Sequence, residues 1–300
     1  MTNFSFFQSA FAKIQNNNLI HFAHNKLTKK SYVKRLNPNT SKGNVYLVGS
    51  GCGDAELLTL KAYRLIQEAD VVMYDWLVST DIVDMIPTKT EKVFVGKKCG
   101  HHHMTQSQIC NLLSETALAG KNVVRLKGGD PSIFGRAAEE IEELQKHNIE
   151  FAIVPGVTAA SGCAAWSGIP LTHRDCAHSL RFVTAHFKNE HIEADWQNLA
   201  DSEDTIVFYM GLSRIEKIAQ LLQQYGKDKH TPMAIIDQGT TAQQQTYVAT
   251  LDTIKQKLEN VELVGPALIV VGEAINYRAN VNVSLLDSQY GKSELIDTVA

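Results

Sequence analysis

Residues 123–136 read VVRLKGGDPSIFGR, an apolar strand that runs into two glycines, an acid, a proline and then a helix start. A strand that stops at Gly128-Gly129-Asp130-Pro131 leaves backbone N–H and C=O groups uncovered, because glycine carries no side chain to block an approaching ligand. At the carboxyl edge of a parallel sheet, such a stop is where open α/β folds take up small molecules. Taken alone, the segment also reads as a tight strand-to-helix turn with Asp130 as its local cap. The stretches on either side decide between the two.

Outward from this segment, apolar runs of strand length alternate with longer stretches of helical periodicity, the mark of a largely parallel sheet covered by helices. Strands are predicted at Val45 to Val48, Val71 to Tyr74, Lys92 to Val95, Val123 to Leu126 and Phe151 to Val154. Helices are predicted near Ala55 to Ala69, Thr105 to Ala119 and Arg136 to His147. Thr105 with Gln108 three positions on forms a capping box that starts the second of these. The rhythm breaks at SGIPLTHRDCA, residues 167–177, where a domain boundary is expected. Strands resume at Leu180 to Thr184, Thr205 to Tyr209, Met233 to Asp237, Gln245 to Thr250 and Ala267 to Val271, with a helix from Ser213 to Tyr225. The runs around Met233 and Thr246 flank QGTTAQQ and imply an antiparallel pair, hence a mixed second sheet. The expected organisation is a basic extension over 1–43, an α/β domain over 44–176, a second α/β domain over 177–280 and a tail over 281–300.

The 300 residues are 44% hydrophobic and 20% charged, enough for two cores of ordinary size. No apolar run is long enough to span a bilayer and the start lacks a compact signal core, so a membrane partner is not expected. Five widely spaced cysteines with no C-x-x-C pair point to neither a disulfide framework nor a thiolate metal site. A cytoplasmic, reducing setting is the expectation. Residues 1–43 carry seven Lys or Arg and no acid, which leaves 22 basic against 32 acidic residues, a net −10, in the remainder. That body is not a nucleic-acid binder by charge. The extension, with Phe4, Phe7, Phe11 and Ile14 at helical spacing, reads as a short amphipathic helix and linker, with a transit segment or docking helix as the sharper alternatives.

Several residues could carry chemistry at the strand ends. The turn Gly49-Ser50-Gly51-Cys52-Gly53 invites a dinucleotide reading, but its spacing is G-x-G-x-G rather than G-x-G-x-x-G. Asp75 follows the strand VVMY and belongs on the same edge as Gly128 to Asp130, either as a turn acid or as a functional carboxylate. Lys97 and Lys98 precede three consecutive histidines, His101 to His103, which cannot all face one metal and make a solvated loop instead. Together with Arg125, Arg136 and Arg174 they could form a cationic patch for an anionic substrate. Met210-Gly211, Gly239 and the helix start at Thr158-Ala159-Ala160 offer uncovered backbone on an opposing wall.

The segments YLVGSGCGDAELLTLKA, VVMYDWLVS, VFVGKKCGHH, VVRLKGGDPSIFGR, VPGVTAASGCAAWSGIPLTHRD, IVFYMGL and GPALIVVGE resemble, in order, the motifs of the uroporphyrinogen-III C-methyltransferases, the methyltransferase half of sirohaem synthases. The resemblance runs from about Gly43 to Arg278. It implies the two-domain α/β tetrapyrrole methylase fold, a homodimer, and S-adenosylmethionine held between the domains, with S-adenosylhomocysteine as product and no metal. Carried over by position, the cofactor contacts are Cys52, Gly128, Gly129, Asp130, Ile133, Thr158, Ala159, Met210 and Gly239, and the proton-transfer groups are Asp75 and Lys97. Lys98, His102, Arg125, Arg136 and Arg174 are the candidate cations for the acidic side chains of a tetrapyrrole. The implied reaction is methylation of uroporphyrinogen III at two ring positions to precorrin-2, for sirohaem or cobalamin synthesis.

The chain departs from the family pattern at several positions. Cys52 replaces a proline, Trp76 and Gln245 replace arginines, Ser132 replaces an aromatic, Ala137-Ala138 replace a glycine pair and Ala185 replaces a glycine. Each lost arginine that met a carboxylate would weaken binding by about 1.5 to 3 kcal/mol. Two alternatives keep the fold: a methylase acting on a later corrin intermediate or on RNA, and a degenerate copy that binds S-adenosylmethionine or a tetrapyrrole without turnover. LTHRD together with YD and KK-x-G-x-H argues against the first, and intact Asp75, Lys97 and GGDP argue against the second.

Overall fold

A computed structural model of the chain describes residues 41–96, 104–185 and 194–286. Five strands form a parallel sheet: β1 (Val45–Gly49), β2 (Val71–Tyr74), β3 (Glu91–Phe94), β4 (Val123–Lys127) and β5 (Phe151–Val154). Their order is β3-β2-β4-β1-β5, with Val45 opposite Val123 on one side and Phe151 on the other. Every carboxyl end therefore emerges on one edge. The period-two alternation of side chains splits the apolar set between two faces. Val48, Val72, Val124 and Leu126 meet α1 (Leu60–Glu68) and α2 (Thr80–Asp84) on one face. Val45, Leu47, Val71, Met73 and Val123 meet α3 (Gln106–Leu118) and α4 (Ala137–Lys146) on the other.

The helix expected over Ala55 to Ala69 begins later than the apolar pattern suggests. Ala55–Leu57 forms a single 3-10 turn capped by Asp54, and α1 starts afresh because the Thr59 hydroxyl accepts the Ala62 N–H at 3.1 Å. The Thr105 and Gln108 capping box on α3 is present in both directions.

After α5 (Ala159–Trp166) the chain enters a second sheet: β6 (Leu180–Thr184), β7 (Thr205–Tyr209), β8 (Pro232–Asp237), β9 (Gln245–Thr250) and β10 (Ala267–Val271). The order is β6-β7-β10-β8-β9, and only β6 and β7 run parallel. The antiparallel pair expected around Met233 and Thr246 is β8 with β9, Ile235 facing Tyr247. One face of this sheet is covered by α6 (Trp196–Asp201), α7 (Ile215–Gln224) and α8 (Ile254–Leu258). Helix α7 buries Ile215, Ile218, Ala219 and Leu222, the i, i+3, i+4, i+7 stripe of an amphipathic helix. Burying each of its large aliphatic side chains contributes about 1.5 to 3 kcal/mol. The other face takes α5, through Ala160, Cys163 and Ala164, so this helix joins the end of the first sheet to the body of the second. No helix among the described residues is long and apolar enough to cross a membrane.

Candidate active site

The carboxyl ends of β1, β4 and β5 converge on glycines for steric reasons. A Cβ on Gly49 would lie 2.6 Å from the Gly129 carbonyl oxygen, and one on Gly156 would lie 2.3 Å from the same atom. The strand ends are then stitched by Gly129 N–H donating to Gly51 O at 2.6 Å and Gly51 N–H donating to Gly129 O at 3.2 Å. Gly129 itself differs from its neighbours. Its φ of +67° suits glycine, and nothing lies nearer than 4.0 Å to the place of its missing Cβ, where Thr158 and Ala159 form the far side. This leaves an open cradle floored by backbone. Gly128, by contrast, is small because Leu77 packs 2.5 Å from its Cβ position.

Asp130 is both cap and clamp. Its Oδ1 accepts the Ser132 N–H at 2.8 Å, and its Oδ2 accepts the Gly156 N–H at 3.0 Å across to the β5 loop. The turn-cap reading of this acid is thus present in the structure, with a second backbone contact beside it. Ile133, half buried, follows on the same loop. Phe134 and Arg136 take left-handed torsions there, φ 53° and 54°, a conformation costing L-residues about 1 to 2 kcal/mol each.

Asp75 stands one strand over, at the end of β2, with its Oδ1 accepting the Leu77 N–H at 3.1 Å. Its Oδ2 accepts from Arg125 Nη2 at 3.2 Å. The sequence puts Arg125 among the cations facing a substrate; in the structure its side chain lies buried between Asp75 and Glu140. The alternation of β4 places Val123, Arg125 and Lys127 on the α3 and α4 face, so the guanidinium is only 3% exposed. Its Nε meets Glu140 at 3.1 Å, and Nη1 donates to the Leu126 carbonyl at 2.8 Å. Lys127 donates to both Glu140 oxygens at 2.9 Å. Glu140, fully buried on α4, thus anchors two cations, and Asp75 adds a second carboxylate on Arg125. Burial, followed by the neighbouring Arg125 charge, lowers the Lys127 ammonium below its ordinary range. A buried group of two cations and two carboxylates holds together because each charge is paired and hydrogen-bonded. Its outer member, Asp75, is the one open to solvent.

The opposing wall comes from the second sheet. Tyr209, ending β7, shares a hydrogen bond of 2.7 Å with the Thr158 hydroxyl and accepts the Ala160 N–H at 3.1 Å. Its ring lies 5.0 Å from that of Phe134 and 5.6 Å from that of Phe182. Met210 follows with φ 58° and stands half exposed. Gly239 is small because Cys163 Sγ would sit 2.1 Å from its Cβ position, so packing, as well as any ligand, requires glycine there. Thr240 donates its hydroxyl to Cys52 Sγ at 3.4 Å and accepts the Asp54 N–H at 3.3 Å, which docks the β1 turn on the β8 loop.

Of the candidates from sequence, Cys52, Asp75, Gly128, Gly129, Asp130, Ile133, Thr158 and Ala159 cluster at the parallel sheet edge and the start of α5, and Met210 and Gly239 extend strands of the second sheet. Arg136 is engaged at the surface by Glu139, at 2.8 and 2.7 Å. Arg174 is exposed in the turn closed by the bridge between His173 and Ala177, where His173 stacks on Tyr277 at 3.6 Å. Lys97, Lys98 and His102 lie outside the described residues. Sequence reasoning misses Tyr209, Lys127, Glu140, Cys163 and Thr240, which read as ordinary strand, helix or turn residues until the fold places them. Trp76 projects beside Asp75, 65% exposed.

Backbone cradles at parallel strand ends, a carboxylate fixed beside them and an opposing wall from a mixed sheet define a two-domain α/β protein built around a small-molecule cleft. The family model for tetrapyrrole (corrin/porphyrin) methylases matches residues 44–255, and the chain belongs to this family. It is 50% identical over 236 residues to a siroheme synthase of Pseudomonas aeruginosa, covering 79% of this chain and 51% of that protein. The chain spans about half the length of the curated relatives it matches. A uroporphyrin-III C-methyl transferase from Thermus thermophilus, solved in complex with S-adenyl homocysteine, is 41% identical with a TM-score of 0.67, covering 78% of this chain and 99% of that one. A cobalt precorrin-4 methyltransferase has a TM-score of 0.69 at 25% identity, covering 77% and 95%.

Proposed function

We propose that this chain transfers methyl groups from S-adenosylmethionine to two ring carbons of uroporphyrinogen III, giving precorrin-2 for sirohaem or cobalamin synthesis. The observation that carries the reading is the open Gly129 cradle with Asp75 held one strand away by Arg125. The cradle fits the cofactor: bare backbone at Gly129, the first turn of α5 and the half-exposed Met210 present polar and apolar surface together. S-Adenosylmethionine, when bound, supplies a methyl on a sulfonium that is already activated for transfer. The chain's own task is then alignment, together with handling the charge that develops on the pyrrole. Asp75, its carboxylate fixed at both oxygens and still open to solvent, stabilises that charge and takes up the ring proton. Lys97 is assigned to an acidic side chain of the substrate rather than to proton transfer. A homodimer in the cytoplasm completes the proposal, on the resemblance for the dimer and on the cysteine pattern for the compartment.

Anaerobic incubation with uroporphyrinogen III and methyl-labelled S-adenosylmethionine tests the proposal, with products resolved by mass. Two added methyl groups are expected. Asp75→Ala is expected to lower the rate by about 100-fold or more with S-adenosylhomocysteine binding retained, whereas Gly129→Val removes binding itself. An unlabelled tetrapyrrole despite measurable cofactor binding refutes this substrate and returns the later corrin intermediates and the non-catalytic copy to first place.

A further inference from the structure

Two cysteines whose thiol chemistry methyl transfer does not require meet where the β1 turn, α5 and the β8 loop come together. Cys52 is half buried in the turn after β1, and Cys163 is buried on the face of α5 that packs on the second sheet. A Cβ on Gly162 would stand 2.2 Å from Cys52 Sγ, so this sulfur presses on the helix one residue before Cys163. Gly239 lies against Cys163 Sγ, and the next residue, Thr240, donates to Cys52 Sγ. Gly239-Thr240 of the β8 loop therefore touches both sulfurs, and Cys52 rests on α5 beside Cys163.

We propose that Cys52 and Cys163 are a modification site, forming a reversible disulfide on exposure to a hydroperoxide and thereby closing the cofactor cradle. The two sulfurs are unequal in the way such chemistry requires. The neighbouring Cys163 thiol brings the Cys52 thiol down to about 7, while Cys163 is pushed up by Cys52 and by burial. Cys52 is therefore the nucleophile and Cys163 the resolving thiol. The Cys52 thiolate attacks the terminal peroxide oxygen, the O–O bond breaks, and the departing hydroxide or alkoxide takes a proton to leave as water or alcohol. Cys163 sulfur then attacks the Cys52 sulfenic acid, its proton going to the hydroxide that leaves as the S–S bond forms. Two thiols are oxidised by two electrons and one hydroperoxide is reduced. Cys110, buried on α3, and Cys176, in the loop before β6, are both pushed up from the ordinary thiol value and stay behind.

The consequence for binding rests on the cofactor reading above. Both sulfurs are free thiols, so closing to the about 2 Å of a disulfide bond draws the β1 turn toward α5. That turn is bonded directly to Gly129 through Gly51, and the cradle moves with it.

The test uses the full chain, reduced and then treated with hydrogen peroxide. Remaining thiols are blocked, digestion is done without reductant, and the peptides are resolved by mass. S-Adenosylhomocysteine binding is measured by calorimetry before oxidation, after it, and after dithiothreitol. A peptide joining Cys52 to Cys163, an affinity loss of about tenfold or more and recovery on reduction are expected. Cys163→Ser should bind like the reduced chain and keep its affinity in peroxide. Peroxide-treated wild type that carries Cys52 oxidation but no such link overturns the proposal, as does a link with unchanged affinity. Reduced protein that fails to bind S-adenosylhomocysteine would count against the cofactor reading, while the mass of the linked peptide still decides the thiol chemistry.

Discussion

Glu140 shows how much one buried side chain sets. Replacing it with leucine leaves Arg125 and Lys127 buried with one carboxylate between them, and that carboxylate, Asp75, reaches only Arg125. Breaking a buried pair in this way costs about 3 to 5 kcal/mol. Glu140→Leu is therefore expected to lower the urea midpoint markedly, whereas Glu139→Leu, at the exposed pair with Arg136, shifts stability by about 1 kcal/mol or less. Equal effects of the two would show that the buried group is not a unit. Cys52 carries a second residue-scale expectation. Its thiol lies near 7 in the fold against an ordinary 9.0, so iodoacetamide labelling at Cys52 should rise with pH through about 7. The stabilisation linked to that thiolate is fully present above pH 9.0 and is lost as pH falls through about 7, because the group's proton affinity is depressed on folding. Mass-resolved labelling that instead rises only near 9 would refute the assignment. Arg125 and Glu140 are also where the sequence says least about partners. An arginine in an apolar strand reads as a cation left over for a substrate, and only the pairing of β4 with α4 reveals its partner.

Among the elements, β4 and its turn carry the most information, and they are also the most legible. Gly128-Gly129-Asp130-Pro131 ends a strand whatever surrounds it, since Pro131 cannot continue a sheet and glycine permits the turn. Placing that turn beside Gly51 and Gly156 requires the strand order, which periodicity does not encode. The short helices α2, α6 and α8 have five or six residues each, too few for a recognisable apolar stripe, and they escape sequence reasoning for that reason. The juncture of β1, β4 and β5 yields a further prediction. Gly156→Ala puts a methyl group 2.3 Å from the Gly129 oxygen, a backbone atom that can yield only by opening the strand ends. Expected outcomes are a destabilisation of about 1 to 3 kcal/mol and weaker S-adenosylhomocysteine binding together. Gly226→Ala is the comparison, since its φ is positive but nothing lies within 4 Å of its Cβ position. It should lose stability without losing affinity. If both variants bind alike, the strand juncture does not support the cradle.

At the scale of the molecule, two sheets of different topology have to present one cleft, and few direct polar contacts tie their functional edges. Tyr209 is the most exacting of them. Its hydroxyl reaches from the end of β7 to both the Thr158 side chain and the Ala160 N–H, while its ring packs between Phe134 of the β4 loop and Phe182 of β6. Burial raises this phenol above its ordinary range, so it stays a neutral donor and acceptor at neutral pH. Tyr209→Phe keeps the ring and removes only the hydroxyl, leaving Thr158 and the first turn of α5 without that partner. A cost of about 1 to 3 kcal/mol follows from stranding buried polar groups. Because Thr158 and Ala159 border the Gly129 cradle, part of that cost should appear as weaker S-adenosylhomocysteine binding, read by calorimetry, and not only in the unfolding midpoint. Tyr225→Phe, at a surface site on the end of α7, should change neither. A Tyr209→Phe protein with reduced stability and full cofactor affinity would mean that the tyrosine braces the second sheet alone, and that the two walls of the cleft are positioned independently.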